Sequence, residues 1–346
     1  MSKFRLILFP FAVVYDGITR IKNFLFNKRI LQSYSFDIPL IVIGNLVVGG
    51  TGKTPHTEFI ARLLQSKYKT AVLSRGYGRN TKGYFLANPD TDSETIGDEP
   101  LQIYNNANNI YVAVNEDRSA GVMQLKEDIN PEVVILDDAF QHRKIQGSLY
   151  ILLSTYENLF YNDFVLPAGN LRETAQNKKR ADIIIITKCP DQVSEQQQKS
   201  IIQKINPEPN QQIFFSKIFY QTPTNFHGSQ TWKPNVKVLL VTGIVNPTPL
   251  RDHLTQLGAI VHVLSFKDHH RYSQTDIDLI RNKMQELGES TVLVTTSKDQ
   301  VKLKPLLQKY DPKKTIEAFE IAIQVGFLFD QENDFKKNIL THVDTI

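Results

Sequence analysis

Short apolar segments recur along the first 190 residues and alternate with longer amphipathic or polar segments. Each segment has the length of a strand, and several are rich in the β-branched residues that strands favour. Because they alternate with helical patterns such as His56–Ser66, they predict an α/β fold built on a parallel sheet. The predicted strands are Ile41–Ile43, Thr70–Ser74, Asn109–Val114, Pro131–Asp138, Tyr150–Ser154 and Ala181–Lys188.

A second alternation of the same kind begins after residue 235. Residues 191–235 contain a Gln-rich helix and then a Pro-, Thr-, Asn-, Gly- and Ser-bearing stretch from Gln221 to Pro234, which is typical of a linker. The strands predicted after it are Lys237–Thr242, Ala259–Leu264 and Thr291–Thr295, and the helices are Pro249–Leu257, Gln274–Leu287 and Asp299–Gln308.

These patterns predict three parts of the chain. They are an N-terminal helix over residues 1–30, a larger α/β domain over 31–222 and a smaller one over 223–346. A chain of 346 residues is long enough for two domains of ordinary size. The pattern leaves open whether residues 310–346 complete the second domain or return to the first.

The N-terminal helix is predicted to be amphipathic. Its apolar run from Phe4 to Tyr15 is too short to span a bilayer, and no small-residue cleavage site of a secretory signal follows it. Two interpretations stay open. The helix lies in a membrane interface, with basic residues near anionic headgroups, or it packs on the protein's own core. The apolar positions are Phe11, Val14, Tyr15, Ile18, Ile21 and Leu25, and the basic ones are Lys22, Lys28 and Arg29.

Composition narrows the class of protein further. The net charge of +4 is too small to indicate a nucleic-acid partner, and no arginine-rich tract alternates with aromatic residues. Cys189 is the only cysteine, so no intramolecular disulfide can form, which fits a reducing compartment. The hydrophobic fraction of 41% and the charged fraction of 22% are those of a globular protein.

A glycine-rich segment lies between the first predicted strand and the helix that follows. A phosphate-binding loop needs this order, because glycines let backbone N–H groups converge on a phosphate. Lys53 is then expected to reach the β- and γ-phosphates, and the Thr54 hydroxyl to bind Mg²⁺. The consensus first glycine falls at Val47 and is displaced to Gly44, so an ordinary glycine-rich turn is the alternative. The loop residues are Gly49, Gly50, Thr51, Gly52, Lys53 and Thr54.

Charged residues follow other predicted strands. Asp137 and Asp138 end a buried strand downstream of the glycine-rich loop, which is the pattern of acids that hold Mg²⁺ beside bound phosphates. Asp98 and Glu99 precede an apolar helix, and an N-cap or first-turn acid accounts for them equally well. The turn Arg75–Arg79 lies where open α/β sheets bind ligands, although a solvated turn accounts for the same residues.

Two further motifs argue against particular functions. A guanine-specific GTPase is expected to carry Asn-Lys-x-Asp after such a strand, whereas this chain has Thr187-Lys188-Cys189-Pro190, with Asp191 one place late. Guanine selection is therefore not supported. Adjacent residues such as His269 and His270 rarely bind one metal ion together, and a histidine that acts with a carboxylate of the first domain is favoured.

Eight motifs occur in order along the chain: GNLVVGGTGKTP, SRGYGR, GDEP, DDAFQHR, LPAGNLRE, TGIVNP, FKDHH and TTSKDQVKL. Together they resemble the tetraacyldisaccharide 4'-kinase family of lipid A biosynthesis in Gram-negative bacteria. The resemblance covers nearly the whole chain, to about Leu303. It implies a P-loop-containing, Rossmann-like three-layer domain, a second, smaller Rossmann-like α/β domain joined by a hinge, and an N-terminal membrane-interface helix.

The same resemblance implies ATP and Mg²⁺ as cofactors. The implied reaction transfers the γ-phosphoryl group of ATP to the 4'-hydroxyl of a tetraacylated glucosamine disaccharide 1-phosphate. The enzyme is expected on the cytoplasmic face of the inner membrane, as a monotopic protein with no nucleic acid and no obligate protein partner.

Family roles carry over to individual residues of this chain by resemblance. Asp98 matches the general base and His269 its partner, while Lys53 acts on phosphate. The implied metal ligands are Thr54, Glu99, Asp137 and Asp138, and the candidates for substrate binding are Arg75, Arg79, His142, Arg172 and Glu173.

Two positions depart from the family pattern. Ala139 replaces the glycine of DDGFQH, which puts the shape of the Phe140–Arg143 turn in doubt, and Ser297 replaces the glutamate of TTEKD, which puts any role of that acid in doubt. Two other classes remain as alternatives. One is a P-loop switch ATPase or GTPase that binds a membrane partner, and the other is a soluble small-molecule kinase whose first helix packs internally.

Overall fold

The structure, a computed structural model, describes residues 3–107, 109–226, 228, 231–288 and 290–346. Residues 1 and 2 of the predicted N-terminal helix and residues 227, 229 and 230 of the predicted linker lie outside the described residues. The described chain forms two sheets, each built mainly of parallel strands and accompanied by helices. The prediction of a mixed α/β fold is therefore confirmed.

Strands alternate with helices over most of the chain. The strands are β1 (Leu40–Asn45), β2 (Thr70–Ser74), β3 (Phe85–Leu86), β4 (Tyr111–Val114), β5 (Val133–Leu136), β6 (Leu149–Thr155), β7 (Ile183–Thr187), β8 (Gln212–Tyr220), β9 (Thr224–Asn225), β10 (Lys237–Thr242), β11 (Ile260–Ser265), β12 (Thr291–Thr296), β13 (Ala318–Ile321) and β14 (Ile323–Phe327). The helices are α1 (Phe9–Asn27), α2 (Lys53–Leu64), α3 (Ser93–Ile96), α4 (Asp98–Asn106), α5 (Arg118–Asp128), α6 (Glu195–Ile205), α7 (Thr248–Gln256), α8 (Gln274–Leu287), α9 (Ser297–Tyr310) and α10 (Glu332–Asp344).

The larger sheet has nine strands in the described part of the chain, in the order β14-β8-β7-β6-β1-β5-β2-β4-β3. Its strands run parallel except at the two edges, where β3 pairs antiparallel with β4 and β14 with β8. The smaller sheet has the order β11-β10-β12-β13-β9 and is parallel except for the pairing of β9 with β13. In both sheets the carboxyl ends of the parallel strands therefore share one edge, which collects their following loops.

The core explains why the central strands are almost continuously apolar. Every residue of β1 is buried, and successive side chains point to opposite faces of the sheet. Ile41 and Ile43 pack in one cluster with α2 and α10, whereas Leu40 and Val42 pack in another with α5. Apolar layers on both faces thus hold β1 rigidly, and the loop that follows it starts from a fixed point.

The linker prediction is wrong for part of residues 191–235. The Gln-rich helix exists as α6, but residues 212–220 form β8, a nine-residue strand in register with β7 and β14. Two residues inside the predicted linker, Thr224 and Asn225, form β9 at the edge of the smaller sheet. The chain therefore moves from one sheet to the other within a few residues of Tyr220.

The C-terminal residues belong to the larger sheet. After β13 the chain leaves the smaller sheet, and β14 adds to the far edge of the larger one. Helix α10 then buries Phe335, Ile339 and Val343 in the same cluster as Ile60 of α2. The chain consequently crosses between the two sheets twice, once before β9 and once after β13.

Helix α1 turns most of its apolar residues to solvent. Ala12, Asn23 and Phe26 are buried against the rest of the chain, and the Tyr15 hydroxyl donates to the carbonyl of Arg172 at 2.9 Å. The exposed apolar side chains are Phe11, Val13, Val14, Ile18, Ile21 and Phe24, each at least 55% exposed. No helix among the described residues is long and apolar enough to cross a bilayer.

Candidate active site

The glycine-rich loop is fixed by polar contacts from two strands. The loop leaves β1 at Asn45, whose side-chain amide donates to Thr51 Oγ1 at 2.9 Å, and Thr187 of β7 donates its hydroxyl to the Thr51 carbonyl at 2.8 Å. Gly49 and Gly52 have φ angles of 119° and 86°, a backbone conformation that residues other than glycine rarely adopt. Lys53 and Thr54 then begin α2, so the N-terminus of that helix points toward the loop.

A histidine that sequence reasoning missed supports this loop from behind. His56 is buried in the first turn of α2, with Nδ1 2.7 Å from the Gly52 carbonyl and Nε2 2.9 Å from the Ser216 hydroxyl of β8. Burial lowers the pKa of His56 to about 4, so the ring is neutral at physiological pH. The ring ties the glycine-rich loop to β8. The spacing of four residues from Gly52 is the signal that could have identified it.

Two adjacent carboxylates follow β5 and lie in different surroundings. Asp137 is buried and accepts hydrogen bonds from Thr57 at 3.0 Å and Ser74 at 3.3 Å. Burial, together with the negative charges of Glu99 and Asp138, raises the pKa of Asp137 to about 6. The ionised form of the Asp137 carboxyl group is therefore destabilised at this position unless a cation lies beside it.

Asp138 is more open and is already paired with two cations. Its side chain is 30% exposed and lies 3.0 Å from Arg172 and 3.7 Å from Lys53. The structure thus brings together three residues that the sequence assigned to phosphate, metal and substrate. The group therefore places two cationic side chains beside one carboxylate, next to the glycine-rich loop.

An arginine that sequence reasoning also missed lies under these acids. Arg118 is 2% exposed at the start of α5, and it donates to the carbonyls of Asn115 at 2.9 Å and Asp137 at 3.2 Å. Burial lowers its pKa to about 10, so it remains charged near neutrality. Its position directly after an Asp N-cap gave no functional signal in the sequence.

The remaining substrate candidates are in unlike positions. Arg75 is exposed after β2, whereas the side chain of Arg79 is 2% exposed and donates to Glu116 at 2.6 Å and to the Gly83 carbonyl at 2.5 Å. Arg79 therefore shapes its own turn, while Arg75 is the one of the two that faces solvent.

Glu173 and His142 are enclosed. Glu173 is 4% exposed and is bound by Arg180, which also lies over the ring of Phe140. Burial and the charge of Arg118 lower the pKa of His142 to about 4, and its Nε2 has no hydrogen-bond partner among the described residues. His142 is thus a neutral ring whose Nε2 lacks a hydrogen-bond partner among the described residues, whereas the Glu173 carboxylate is already paired with Arg180.

Asp98 lies at the junction of the two sheets. Gly97 precedes it with a φ angle of 93°, and a Cβ on Gly97 would lie 2.8 Å from the carbonyl of Tyr77, so only glycine lets α4 begin there. Asp98 and Glu99 are first-turn acids of α4 and do not cap it through their side chains. Asp98 Oδ2 lies 3.5 Å from His269 Nδ1 and 3.0 Å from Lys302 Nζ, and both of these residues belong to the part of the chain that forms the smaller sheet.

The surroundings of Asp98 act in opposite directions. Burial raises the pKa of its carboxyl group, but the contact with His269 and the charge of Lys302 outweigh burial and hold the pKa below its ordinary value. Asp98 is therefore a carboxylate at neutral pH. Lys302 was not identified from the sequence, because a lysine within an amphipathic helix is usually solvated.

The two adjacent histidines turn in different directions. His269 has a φ angle of 58° and packs its ring against Tyr77 at 5.5 Å, beside Asp98. His270 stacks on Phe266 at 4.5 Å and lies 3.2 Å from Asp276. No group of three or more His, Cys, Asp or Glu side chains that could hold a metal ion occurs among the described residues.

A magnesium site does not need such a group. Mg²⁺ usually takes one or two protein oxygens and completes its shell with water and phosphate oxygens. The residues present fit that requirement, since Thr54 supplies a hydroxyl and Asp137 and Asp138 supply carboxylates at one edge of the sheet. The raised pKa of Asp137 is what a buried ligand shows when no cation is bound to it.

Comparisons with known proteins identify the family of the chain. The family model described as tetraacyldisaccharide-1-P 4'-kinase matches residues 4–344. The tetraacyldisaccharide 4'-kinase of Flavobacterium johnsoniae is 42% identical over 99% of this chain and 98% of its own, and that of Bacteroides thetaiotaomicron is 40% identical over 97% and 92%.

A solved structure extends the agreement to the fold. The crystal structure of LpxK from Aquifex aeolicus, described as a complex with ATP, superposes with a TM-score of 0.76 at 28% identity and covers 98% of this chain and 99% of its own. The match over nearly the whole length includes both sheets. The chain therefore belongs to the tetraacyldisaccharide-1-P 4'-kinase family, the kinases of lipid A biosynthesis.

Proposed function

We propose that this kinase transfers the γ-phosphoryl group of ATP to the 4'-hydroxyl of tetraacyldisaccharide 1-phosphate, with Asp98 as the general base. The observation that carries this assignment is the position of Asp98 between the sheets. Its neighbour Glu99 is close enough to the strand-end acids to raise the pKa of Asp137. A carboxylate held ionised at that point is suited to accept the proton of an alcohol.

ATP binds at the glycine-rich loop in this proposal. Gly49, Gly50 and Gly52 offer backbone N–H groups, whereas the N–H of Thr51 donates to the Gly49 carbonyl at 3.0 Å. The α2 N-terminus contributes partial positive charge, and Lys53 contacts the β- and γ-phosphates. Mg²⁺, held by Thr54, Asp137 and Asp138 with Glu99 nearby, supplies neutralisation of the phosphate charge when bound. The ATP complex of the Aquifex relative supports the nucleotide assignment.

The reaction balances with the residues at hand. The 4'-oxygen forms a bond to the γ-phosphorus, and the bond between that phosphorus and its bridging oxygen to the β-phosphate breaks, so ADP leaves. The O–H bond of the acceptor breaks and its proton passes to the Asp98 carboxylate. Lys53 and Arg172 stabilise negative charge on the transferring group, because both already lie beside Asp138.

The polar residues around this point receive different roles. Arg75 is the cation available to the lipid's 1-phosphate, Arg172 acts on the transferring group as described above, and His142 offers its unpaired Nε2 to a sugar hydroxyl. Arg79 and Glu173 shape the walls of the site, since each is held by a neighbour of opposite charge. In this proposal all five residues contribute to substrate binding. Arg79 and Glu173 do so indirectly, through their ion pairs with Glu116 and Arg180.

The proposal includes a hinge between two domains, located where the chain crosses twice between the sheets. Residues 31–222 with 323–344 form a P-loop-containing, Rossmann-like kinase domain, and residues 223–322 form a smaller α/β domain. Closure brings His269 and Lys302 onto Asp98 and excludes water, which limits wasteful ATP hydrolysis. The family resemblance and the contacts across the junction support this division.

The exposed apolar face of α1 suits a membrane interface. Phe11, Ile18 and Ile21 are each more than 60% exposed, and Lys22 and Lys28 are exposed close to this face. An amphipathic helix of this kind lies among headgroups with its basic residues near anionic lipids. The exposed face supports the proposal that the enzyme is a monotopic protein on the cytoplasmic face of the inner membrane, where we expect its acylated acceptor.

The proposal is tested by transfer from γ-labelled ATP to tetraacyldisaccharide 1-phosphate in detergent micelles. Wild-type protein is expected to label the lipid, and Asp98→Asn to lower kcat by about 10²–10⁴-fold, the usual contribution of a general base. Asp90→Asn, an exposed loop acid, is the matched control and is expected to keep full activity. ATP hydrolysis that ignores the lipid, with no labelled product, would indicate a switch ATPase instead.

A further inference from the structure

Lys302 is a buried cation whose ammonium group lies close to three oxygen atoms. It lies in α9 with a side chain 7% exposed, and its ammonium group donates to Asp98 Oδ2 at 3.0 Å and to the His270 carbonyl at 3.0 Å. Asp299 Oδ1 lies farther away, at 3.7 Å, which is the distance of an ion pair and not of a hydrogen bond. Of the three donors of the ammonium, two therefore make hydrogen bonds to protein oxygens among the described residues.

The lysine is held there by packing. Val301 of α9 and Leu101 of α4 are buried in one apolar cluster, so the two helices are fixed against each other beside Lys302. The ring of Tyr272 lies 5.5 Å from the ammonium on the other side. A buried charge is costly unless it is paired, so this lysine is tied to its carboxylate partners.

The two carboxylate oxygens of Asp98 differ in their contacts with neighbouring side chains. Oδ2 accepts from Lys302 and lies 3.5 Å from His269, whereas Oδ1 takes part in no hydrogen bond among the described residues. A carboxylate anchored through one oxygen has its other oxygen fixed in direction. Lys302 is the closer of the two anchors, and its side chain is 7% exposed against 35% for His269.

We propose that Lys302 is a positioning residue for phosphoryl transfer, which anchors Asp98 through Oδ2 and leaves Oδ1 to take the proton of the acceptor hydroxyl. This inference rests on the proposed role of Asp98 as general base. Because α9 follows β12 of the smaller sheet, the base is oriented only when α9 lies against α4. The second domain thus contributes to catalysis through this lysine as well as through His269.

Lys302→Met tests the inference, since methionine keeps the length and apolar stem of lysine without the charge. We expect kcat to fall about tenfold or more, and the KM values for ATP and for the lipid to change less than about threefold. Lys309→Met is the matched control, because Lys309 is an exposed lysine of the same helix that lies over the ring of Tyr310. It is expected to leave all three quantities unchanged.

A double-mutant cycle separates positioning from a structural role. If Lys302 acts through Asp98, Lys302→Met is expected to cost little in an Asp98→Asn background. An equal loss in both backgrounds, or a rise in the KM values with kcat unchanged, would overturn the inference. Lys302→Gln repeats the measurement if thermal unfolding shows that the methionine variant does not fold. Full activity of Asp98→Asn would instead refute the proposed base, and so distinguishes the two failures.

Discussion

Two halves of the active site are built in different ways. The phosphate half consists of the glycine-rich loop, Asp137, Asp138 and Arg172, and all of it is contributed by the larger sheet and its loops. The base half consists of Asp98, His269 and Lys302, of which only Asp98 comes from the larger sheet. One half is assembled by strand ends of a single sheet, and the other by contact between two sheets.

We infer from this difference that ATP binding and proton removal depend on different parts of the fold. The contacts that hold the phosphate half come from the larger sheet and its loops, so in the proposed mechanism ATP binds there first. In the same mechanism the base half is complete when His269 and Lys302 contact Asp98. Proton removal then depends on the arrangement of the two domains, which is proposed to protect bound ATP from water.

The largest expected effect tests whether the phosphate half acts as one unit. Lys53→Ala and Asp138→Asn are each expected to lower kcat by about a thousandfold, because either change removes charge complementarity for the transferring group. The double variant is expected to lose little more than the single ones. Rates of labelled-lipid formation measure all three, with Lys69→Ala, an exposed lysine at the opposite end of β2, as the control. Simple multiplication of the two losses would show that the residues act independently.

The two halves are also expected to differ in how pH affects stability. Folding raises the pKa of Asp137 from 3.8 to about 6, so the folded protein binds its proton more tightly and loses stability as pH rises through that interval. The pKa of Asp98 is lowered, so its contribution is present at neutral pH and is lost on acidification. The two carboxyl groups therefore change the stability of the folded protein in opposite directions as the pH rises.

Thermal unfolding without ATP or Mg²⁺ measures this difference. Asp137→Asn is expected to be more stable than wild type at pH 8 by up to about 3 kcal/mol, and to lose most of that advantage at pH 4. Asp98→Asn is expected to be less stable than wild type at pH 8. A stability gain for Asp137→Asn that does not change with pH would show that its carboxyl group does not titrate in this range.

Local sequence patterns pointed to the glycine-rich loop and the two acids after β5, whereas in the base half they gave no indication of Lys302. Strands such as β2 and the residues after β5 are read from local patterns, because a buried apolar run followed by glycines or acids is typical of the ligand-binding edge of an α/β sheet. Lys302 gave no such signal, since its function depends on a residue about two hundred positions earlier. A contact of that kind is set by the packing of α4 on α9, which no local pattern encodes.

The same limit explains the fold errors. Residues 212–220 read as part of a linker because they lie between a Gln-rich helix and a Pro-rich stretch, yet β7 and β14 make them a strand from either side. The return of β14 and α10 to the larger sheet depends on the position of β8 and on the apolar face of α2. In both places, contacts with distant parts of the chain determined the structure. This is usual for strands whose own sequence is ambiguous.

The smallest expected effect concerns the edge of the base half, where Arg271 bridges the two sheets. Its guanidinium donates to Asn80 Oδ1 at 3.0 Å and to the Gly78 carbonyl at 3.3 Å, and both contacts are exposed. Arg271→Ala is expected to lower kcat/KM for the lipid about two- to fivefold, since an exposed contact is worth about 0.5–1 kcal/mol. Affinity for ATP is expected to stay unchanged, because the phosphate half does not depend on the smaller sheet.

Arg251→Ala provides the matched control for this last variant. Arg251 is exposed on α7 of the same domain and pairs with its neighbour Asp252. Equilibrium binding of ATP and lipid-dependent turnover are measured for both variants. If Arg271→Ala weakened ATP binding as much as it slowed turnover, the two halves would be coupled in the ground state. The nucleotide site would then require the smaller sheet, and the order of binding before closure would have to be abandoned.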